Sequence, residues 1–410
     1  MFVKIFNEMD KLPEPHREKS PCIYCGYAYV NHTLHYFLSL FSVAFDNHIG
    51  KTVKHAPNFM REFVDWLLLA FFEILLWLRL AKLSDDINLA KTFRSRVIWE
   101  EAKRRGITMR QFIMFGRPID QYRTRLNGRL FYFDSLPIPS KLQAMRKNWD
   151  DKFLLKKELS KKNIPVPEYH TFPSFWPQDL EKIFSKFKKP IIVKPRVGSR
   201  GRHTVTNIYT MEQFRAGIDV AKQVSPHISV EEHLMGDVCR ATFVSGKLMG
   251  FYRGVVPFVF GDGVSTVRQL ILEKDAHRHE RVEKILINKE MEDYISRLGF
   301  GLNDVLPTGV RLSLSYRTGR LFGGTTKEML DELHPSFVPI LTEAARMVAL
   351  PVIGFDCIVP EPTEDAFTQR WGIIECNTLP FIDLHYYALE GHPKNIAGAI
   401  WDLWSASVDK

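Results

Sequence analysis

Short apolar segments alternate with amphipathic segments over the second half of the chain, and this alternation constrains the fold most strongly. Segments of strand length and apolar character include "PIIVKP", "HISVEEHL", "VIGFDCIVP" and "RWGIIECN". Segments with helical periodicity lie between and after them, and they are "TMEQFRAGIDVAKQV", "HPSFVPILTEAARMVAL" and "HPKNIAGAIWDLW". The first of these helices begins at Thr210, a good N-cap residue. Mixed strands and helices in this order predict an α+β or α/β architecture.

Further elements are predicted on both sides of residue 150. Residues 91–105 look helical and end at Gly106, residues 108–116 read as a strand, and residues 148–163 read as a helix followed by two prolines. Two hairpins are expected. One turns at Asn127-Gly128 in "YRTRLNGRLFYFDSLP", and the other turns at Ser245-Gly246 in "RATFVSGKLMGFYRG".

Residues 59–83, "FMREFVDWLLLAFFEILLWLRLAKL", read as one long and very apolar helix. A membrane-spanning helix needs about 20 mostly uncharged residues. Asp65, Glu73 and Arg79 interrupt the run, which argues against a full span. The pattern instead favours a buried helix, a contact between copies of the chain, or a peripheral contact with a membrane surface.

Charge and cysteine content limit the class of protein. The chain has 410 residues and a formal net charge of +9, but residues 94–202 alone carry +16 and the remainder carries −7. A basic block of this size fits an anionic ligand, either a nucleotide or a nucleic acid backbone, and equally a solvated lysine-rich surface. Five cysteines are too few for a disulfide framework. No signal peptide is evident at the N-terminus, so a cytoplasmic setting is expected.

Polar residues at the ends of two apolar strands indicate a metal site. Glu375 and Asn377 follow the apolar residues of "WGIIECNTLP" and share one face of the strand, since side chains two apart do so. Asp356 lies in the other late apolar strand, "VIGFDCIVP". If the two strands are neighbours, three oxygen ligands converge, which suits Mg²⁺. The alternative is that each residue faces solvent or caps a turn.

A lysine followed by glycines suggests a phosphate-binding loop. Lys194 ends the strand "PIIVKP", and Gly198, Ser199 and Gly201 follow in "RVGSRGRHTVT". Such a loop leaves backbone N–H groups available for phosphate. It matches neither the Walker A pattern nor GxGxxG, and an ordinary glycine hairpin is the alternative.

These motifs, in this order, resemble those of the ATP-grasp superfamily of carboxylate–amine ligases. The resemblance covers roughly residues 145–405 and is nearest to the branch of cyanophycin synthetase and the bifunctional glutathione synthetases. It rests on six segments: "DKFLLKKELSKKNIPVP", "IIVKPRVGSRGRHTVT", "ISVEEHLMGD", "GDGVSTVRQLI", "GFDCIV" and "IIECNTLP". It implies an N-terminal extension at residues 1–85, a small α/β region at 86–145, and two α+β subdomains at 146–235 and 236–410 that clasp ATP.

The resemblance also implies a role for individual residues and the ligands ATP and two Mg²⁺ ions, with Mn²⁺ as a substitute. Asp356, Glu375 and Asn377 would bind the metals. The residues that would contact ATP are Lys152, Lys194, Gly198, Ser199, Arg200, Gly201, Glu231, Glu232, His233, Leu234 and Asp237. The implied reaction joins a small-molecule or peptide carboxylate to an amine through an acyl phosphate, and no nucleic acid partner is expected.

The sequence departs from the family at the acceptor side of the site. Phe355 stands where D-alanine ligases have an arginine. Arg317 is therefore our first candidate for stabilising the transferred phosphoryl group, with Arg240 and Arg311 as rivals, although any of them could form a surface ion pair instead. The family ending "NxxPG" is altered to "NTLPF", and His385 lies where related ligases contact substrate.

Two features point away from a soluble ligase. The basic block would also suit a nucleic-acid-binding protein, and residues 59–83 would suit a membrane-associated interaction protein with a degenerate ATP site. A further pattern, Cys22-x-x-Cys25 followed by His32 and His35, is either a Zn²⁺ site or a small reduced loop. Cys239, Cys357 and Cys376 look like core residues.

Overall fold

The computed structural model describes residues 22–25, 30–40, 67, 70–126, 128–139, 149–198 and 201–408. Within them, fifteen strands form four separate sheets. The strands are β1 Ala81–Ser84, β2 Met109–Met114, β3 Arg117–Leu126, β4 Arg129–Asp134, β5 Tyr169–Pro173, β6 Ile191–Pro195, β7 Val205–Ile208, β8 His227–Glu232, β9 Asp237–Val244, β10 Lys247–Val255, β11 Phe258–Phe260, β12 Arg311–Ser313, β13 Thr325–Glu328, β14 Val352–Val359 and β15 Gly372–Asn377.

Helices cover the sheets and connect them. From residue 93 onward they are α1 Phe93–Arg104, α2 Lys152–Ser160, α3 Leu180–Ser185, α4 Met211–Ala221, α5 Val267–Ala276, α6 Lys289–Arg297, α7 Phe337–Val348, α8 Asp383–Tyr386 and α9 Ile396–Val408. Residues 32–40 and 70–77 are also helical. Thr210 caps α4 as predicted, because its side chain accepts from the Gln213 amide in a capping box.

The first sheet has the order β1-β2-β3-β4 and is antiparallel throughout. Helix α1 and the C-terminal helix α9 pack together with this sheet. Val97, Tyr122, Phe133 and Trp401 lie in one buried cluster there. The region of residues 97–138 and the C-terminal helix therefore share a hydrophobic core.

The second sheet has the order β5-β8-β6-β7, and its core includes Phe214 of α4. The third and largest sheet has the order β13-β10-β9-β14-β15, and its antiparallel strands pack against α7. The fourth sheet is the pair β11-β12, which shares a small core with α5 and α6. This mixture of antiparallel sheets and helices is the predicted α+β class.

The prediction of one helix over residues 59–83 is wrong at its C-terminal end. The described helical residues stop at 77, Arg79 has a φ of 58°, and residues 81–84 form strand β1. Ala81 pairs with Met114 and Leu83 with Phe112, so tertiary pairing with β2 overrides the local helical pattern. Residues 59–66, 68 and 69 lie outside the described part of the chain. Among the residues that are described, no helix combines the length and apolarity needed to cross a bilayer.

Candidate active site

Three neighbouring strands of the largest sheet bring the predicted metal ligands together. Asp356 on β14 pairs across the sheet with Glu375 on β15 and with Arg240 on β9. Directly opposed residues project from the same face of a sheet, so the three side chains form a row. The side-chain amide of Asn377 donates to Oδ2 of Asp356 at 3.1 Å. Asp356, Glu375 and Asn377 therefore converge as the sequence predicts.

The two carboxyl groups of this row have pKa values displaced in opposite directions. Burial raises the pKa of Asp356 to about 6 in spite of the Arg240 guanidinium, and the neighbouring Glu375 contributes to the rise. Burial would also raise the pKa of Glu375, but Lys152 and the hydrogen bond with Asp356 lower it to about 2. Two close carboxylates compete for ionisation in this way unless cations offset their charge.

Lys152 connects the row to the glycine-rich loop. It begins α2, whose N-cap Asp151 accepts from the amides of Phe153 and Leu154. The Lys152 ammonium lies 3.3 Å from Oε2 of Glu375 and donates to the carbonyl oxygen of Gly198 at 2.6 Å. A lysine from the helix, a carboxylate from β15 and the glycine loop thus meet at one point. Ser199 and Arg200 of the loop lie outside the described residues.

Two lysines, Lys156 and Lys194, flank the carboxylate of Glu231, which is fully buried. Oε2 of Glu231 lies 2.9 Å from the Lys194 ammonium, and Oε1 lies 2.9 Å from the Lys156 ammonium. Burial lowers the pKa of Lys156 to about 8 even though Glu231 favours its charged form. Sequence reasoning missed Lys156. Its position four residues after Lys152, on the same face of a helix, was the signal that could have found it.

The residues of the predicted adenine hinge lie at the end of β8 and directly after it. The Glu232 amide donates to the carbonyl oxygen of Glu168 at 2.9 Å, and the Glu232 carboxylate pairs with Arg370 at 2.5 Å. The His233 amide donates to the carbonyl of Pro190, and the Leu234 side chain is buried. These contacts fix the hinge against the strands around it.

The three candidate arginines lie in different surroundings. Arg240 holds Asp356 through two hydrogen bonds of 2.6 Å and 2.8 Å, and its third nitrogen, Nη1, is buried with no partner among the described residues. Arg317 instead pairs with Glu290 at 2.6 Å and lies beside Gly201. Arg311 lies over the Phe258 ring at 4.2 Å. Only Arg240 has a contact with the predicted metal ligands among those that the structure describes.

Two further buried residues, Asp383 and His385, belong to helix α8. Asp383 lies 3.8 Å from Arg320, and its Oδ1 is buried with no partner among the described residues. Burial raises the pKa of Asp383. His385 is fully buried between the Thr242 hydroxyl at 2.8 Å and the Glu328 carboxylate at 2.5 Å. Both ring nitrogens of His385 therefore have hydrogen-bond partners, and Asp383 is a buried acid that the sequence analysis did not single out.

Comparison with known proteins finds relatives that include cyanophycin synthetases and bifunctional glutathione biosynthesis proteins, although no protein-family model matches the chain. Cyanophycin synthetase of Nostoc sp. strain PCC 7120 is 30% identical over 259 residues, which are 62% of this chain and 29% of that protein. The glutathione biosynthesis bifunctional protein GshAB of Listeria welshimeri is 26% identical over 331 residues, which are 78% of this chain and 41% of that protein. A crystal structure of a bifunctional glutathione synthetase from Pasteurella multocida has a TM-score of 0.51 and 20% identity, covering 76% of this chain and 44% of that one.

The chain has an ATP-grasp fold. Its sequence is similar to those of cyanophycin synthetase and of the bifunctional glutathione biosynthesis proteins. The chain spans less than half of the length of each relative named above. Lys194 lies on β6 of the second sheet, Glu375 lies on β15 of the third sheet, and Lys152 of α2 contacts Glu375.

Asp237, the last of the predicted ATP-contacting residues, forms an ion pair with Arg253. Asp237 accepts from Arg253 at 2.7 Å, which leaves the carboxylate turned toward this arginine. Several cations of the basic block likewise face internal carboxylates, such as Arg196, which pairs with Asp151 at 2.6 Å. Part of the positive charge of residues 94–202 is therefore neutralised by ion pairs within the protein.

The cysteines separate into two groups. Cys239, Cys357 and Cys376 are buried in the core of the largest sheet, as predicted. Cys22 and Cys25 lie together with His32, but the fourth member of the cluster is His203, whereas His35 contacts a backbone carbonyl elsewhere.

Proposed function

We propose that this chain is an ATP-dependent carboxylate–amine ligase. It transfers the γ-phosphoryl group of ATP to a carboxylate, and an amine then attacks the acyl phosphate to form an amide or peptide bond. ADP and phosphate are the other products. The kinship with cyanophycin synthetase and glutathione synthetases supports an amide-forming reaction, and the acyl phosphate is part of the proposal.

The observation that carries the proposal is the row of Arg240, Asp356 and Glu375 facing Lys152. Cations and carboxylates alternate at the edge of a loop whose glycines allow a phosphate to approach the backbone. Phosphoryl transfer depends mainly on positioning and on neutralising the charge of the transferred group. A site with these charges in these positions meets both needs.

Each ATP-contacting residue has a role in this proposal. Lys152 and Lys194 contact the phosphates, and residues Gly198 to Gly201, including Ser199 and Arg200, close over the γ-phosphate and exclude water. Adenine contacts the hinge formed by Glu231, Glu232, His233 and Leu234. Because the Glu232 amide already donates to the carbonyl of Glu168, the backbone group that Glu232 can offer to adenine is its own carbonyl oxygen. Asp237 can contact the ribose only by sharing its carboxylate with Arg253.

The residues at the row fit Mg²⁺. Asp356 and Glu375 supply carboxylate oxygens, and Asn377 supplies its amide oxygen because its NH₂ group donates to Asp356. A carboxylate has about four lone-pair positions, so Asp356 can bind Arg240 and a cation together. These three residues would hold two Mg²⁺ ions, or Mn²⁺, which would offset the negative charge of the phosphates.

Arg240 is the group that we assign to the transferred phosphoryl oxygens. Its Nη1 is a buried donor, and a buried donor without a partner costs about 1–3 kcal/mol unless something accepts from it. A phosphoryl or carboxylate oxygen of the substrate would satisfy it. Asp383 offers the complementary group, since its buried Oδ1 can accept from the amine substrate. Arg317 and Arg311 remain candidates that kinetic comparison can separate from Arg240.

The proposal assumes a cytoplasmic reaction on small-molecule or peptide substrates. Contact with a membrane surface through residues 59–83, and association of copies of the chain, stay predictions. Most of residues 59–69 lie outside the described part of the chain.

The test is ATP consumption in the presence of Mg²⁺ with a panel of amino acids, short peptides and other amines. ADP, AMP and phosphate are all measured. We expect ADP release that requires both a carboxylate and an amine. Glu375→Gln should abolish it, whereas Glu343→Gln should leave it unchanged because Glu343 is a surface carboxylate on α7.

Three results would count against the proposal. Release of AMP would indicate adenylation of the carboxylate and would exclude the acyl phosphate. ADP release that persists in Glu375→Gln would exclude Glu375 as a metal ligand. Absence of any ATP binding would exclude a ligase and would favour the alternative of a nucleic-acid-binding or membrane-associated interaction protein.

A further inference from the structure

The sulfur and nitrogen atoms of Cys22, Cys25, His32 and His203 lie within 4.8 Å of one another. Sγ of Cys25 is 3.2 Å from Nε2 of His32 and 3.3 Å from Nε2 of His203, and Sγ of Cys22 is 3.6 Å from Nε2 of His203. Around tetrahedral zinc, bonds of about 2.3 Å to sulfur and about 2.0 Å to nitrogen put neighbouring S and N atoms about 3.5 Å apart. The cluster has the spacing of a zinc tetrahedron.

Local structure orients the four side chains. The Cys25 amide donates to the Cys22 carbonyl at 3.3 Å, which folds the CxxC segment into a tight turn and turns both sulfur atoms to one side. His32 begins the helix over residues 32–40. The His203 amide donates to the Tyr24 carbonyl at 3.1 Å, so the backbone of the turn and the backbone before β7 are also joined.

The second ring nitrogen of His203 supports a metal-binding role. Nδ1 lies 2.9 Å from the carbonyl oxygen of Val220, which can only accept, so Nδ1 carries the hydrogen. Nε2 then has its lone pair directed at the two sulfur atoms. Metal-bound histidines have this arrangement, in which the outer nitrogen donates to a carbonyl and fixes the tautomer.

His35, the residue that the sequence pattern offers as a ligand, has a different role. Its Nδ1 lies 3.1 Å from the carbonyl oxygen of Val224, just after α4. It is not among the clustered ligand atoms, whereas His203 is. His203 is 181 residues from Cys22 in the sequence, so no local spacing could have revealed it.

We propose that the chain binds one Zn²⁺ ion through Cys22, Cys25, His32 and His203. Two thiolates and two imidazoles are ligands that favour zinc, and four protein ligands leave no position for substrate. The ion would therefore be structural. Cys25 and His203 are each only 1% exposed, which shields the site from solvent.

The site would attach the N-terminal segment to the residues that follow the glycine-rich loop. His203 is two residues beyond Gly201, and the Tyr24 carbonyl also accepts from Nη2 of Arg317 at 3.2 Å. The Tyr24 hydroxyl donates to Asp293 of α6 at 3.2 Å. Zinc would thus hold the end of the loop against α6. This inference does not depend on the proposed ligase activity.

The test is the metal content of the full-length chain, purified without chelators and with its thiols reduced. Elemental analysis by mass spectrometry should find one zinc per chain. Cys25→Ser should lower this to below about 0.2 per chain, because one thiolate ligand is lost. His35→Gln is the matched control and should keep one zinc per chain.

Replacement of zinc by Co²⁺ gives a readout that does not depend on a destabilised variant. The wild-type chain should show thiolate-to-cobalt charge-transfer absorption from two sulfur ligands. Cys22→His keeps four ligands and should retain the metal with about half of that absorption. Elemental analysis after reconstitution with equimolar zinc completes the comparison.

The proposal would be overturned by a wild-type chain that retains less than about 0.2 zinc per chain after this reconstitution. A disulfide between Cys22 and Cys25 in the chain as isolated from cells would also overturn it. Loss of zinc from His35→Gln but not from His203→Gln would overturn it as well, and would instead support Cys22, Cys25, His32 and His35 as the ligands.

Discussion

Glu231 is a single residue that illustrates how this protein accommodates a buried charge. It is a buried carboxylate between Lys156 and Lys194, and it also accepts from the Ser229 hydroxyl at 2.9 Å. Burial alone would raise the pKa of Glu231, but the two lysines lower it from 4.5 to about 2. Removal of one member of such a cluster leaves buried charges without compensation.

We predict a specific pH dependence for this cluster. Since the folded-state pKa of Glu231 is lower than the unfolded value, its stabilising contribution is present above pH 4.5 and is lost as the pH falls toward 2. Glu231→Gln should reduce the free energy of unfolding by about 3 kcal/mol at pH 7 and by much less near pH 2.5. Urea titrations at both pH values would measure this.

Glu343→Gln is the control, because it removes an exposed carboxylate and should change the urea midpoint little at either pH. A Glu231→Gln deficit that stays the same at pH 7 and pH 2.5 would contradict the assigned pKa. It would mean that the cost comes from packing and not from ionisation.

The arginines allow a second prediction at this scale. Arg240→Lys keeps a positive charge but loses the two-pronged contact with Asp356 and the Nη1 donor. We expect kcat to fall by about 10²–10³-fold, the usual cost of removing one donor to a developing negative charge. Arg311→Lys should retain most of the activity. Steady-state ADP release would compare them.

Arg317→Lys completes this series, since Arg317 was the first choice from the sequence. A larger loss of kcat in Arg317→Lys than in Arg240→Lys would reassign the role to Arg317. Its contacts with Glu290 and Tyr24 would then have to change when ATP binds.

At the scale of elements, the hairpins and late strands were correctly predicted. The hairpin of β9 and β10 turns at Ser245-Gly246, and β14 and β15 are adjacent and antiparallel. The alternation of apolar and polar side chains and the choice of turn residues are local signals. Strands and hairpins predicted from them therefore agree with the folded chain. Strand β1 was missed because its four residues resemble the preceding helix and become a strand only by pairing with β2.

The turn between β8 and β9 gives a prediction about Gly236. It has a φ of 135°, and a Cβ there would lie 2.5 Å from the carbonyl carbon and oxygen of Val359. Gly236→Ala should therefore destabilise the fold by about 3 kcal/mol or more, through both backbone strain and a clash with backbone that cannot move easily. Thermal unfolding would measure it.

Gly246→Ala provides the matched comparison. Gly246 also has a positive φ, at 75°, but a Cβ added there would have no other atom within 4 Å. It should cost only about 1 kcal/mol, the conformational penalty alone. Equal losses at the two glycines would show that the close approach of Val359 is relieved by a shift of the β14 end.

For the whole molecule, the candidate site draws residues from both the second and the third sheet. Lys152 bridges Gly198 near the second sheet and Glu375 on the third. A nucleotide bound there would link both sheets, and a ligand that binds only the folded state raises its melting temperature. We predict that ADP with Mg²⁺ at about 100 times its Kd raises the Tm by roughly 3 °C.

Lys152→Met should lose most of this shift because it removes a phosphate contact and the bridge. Lys161→Met, at the exposed end of the same helix, should keep the full shift. Thermal scans with and without ADP would measure both. A full shift in Lys152→Met would exclude Lys152 from the nucleotide site.

The sequence by itself determined the α+β class, the paired late strands and the convergence of Asp356, Glu375 and Asn377. These features depend on periodicity and on strand pairs that are close along the chain. Only the tertiary structure joined Arg240 to Asp356, Lys156 to Glu231, and His203 to Cys22 and Cys25. Such contacts connect residues far apart in sequence, and sheet order and packing decide them, whereas local propensity carries no information about them.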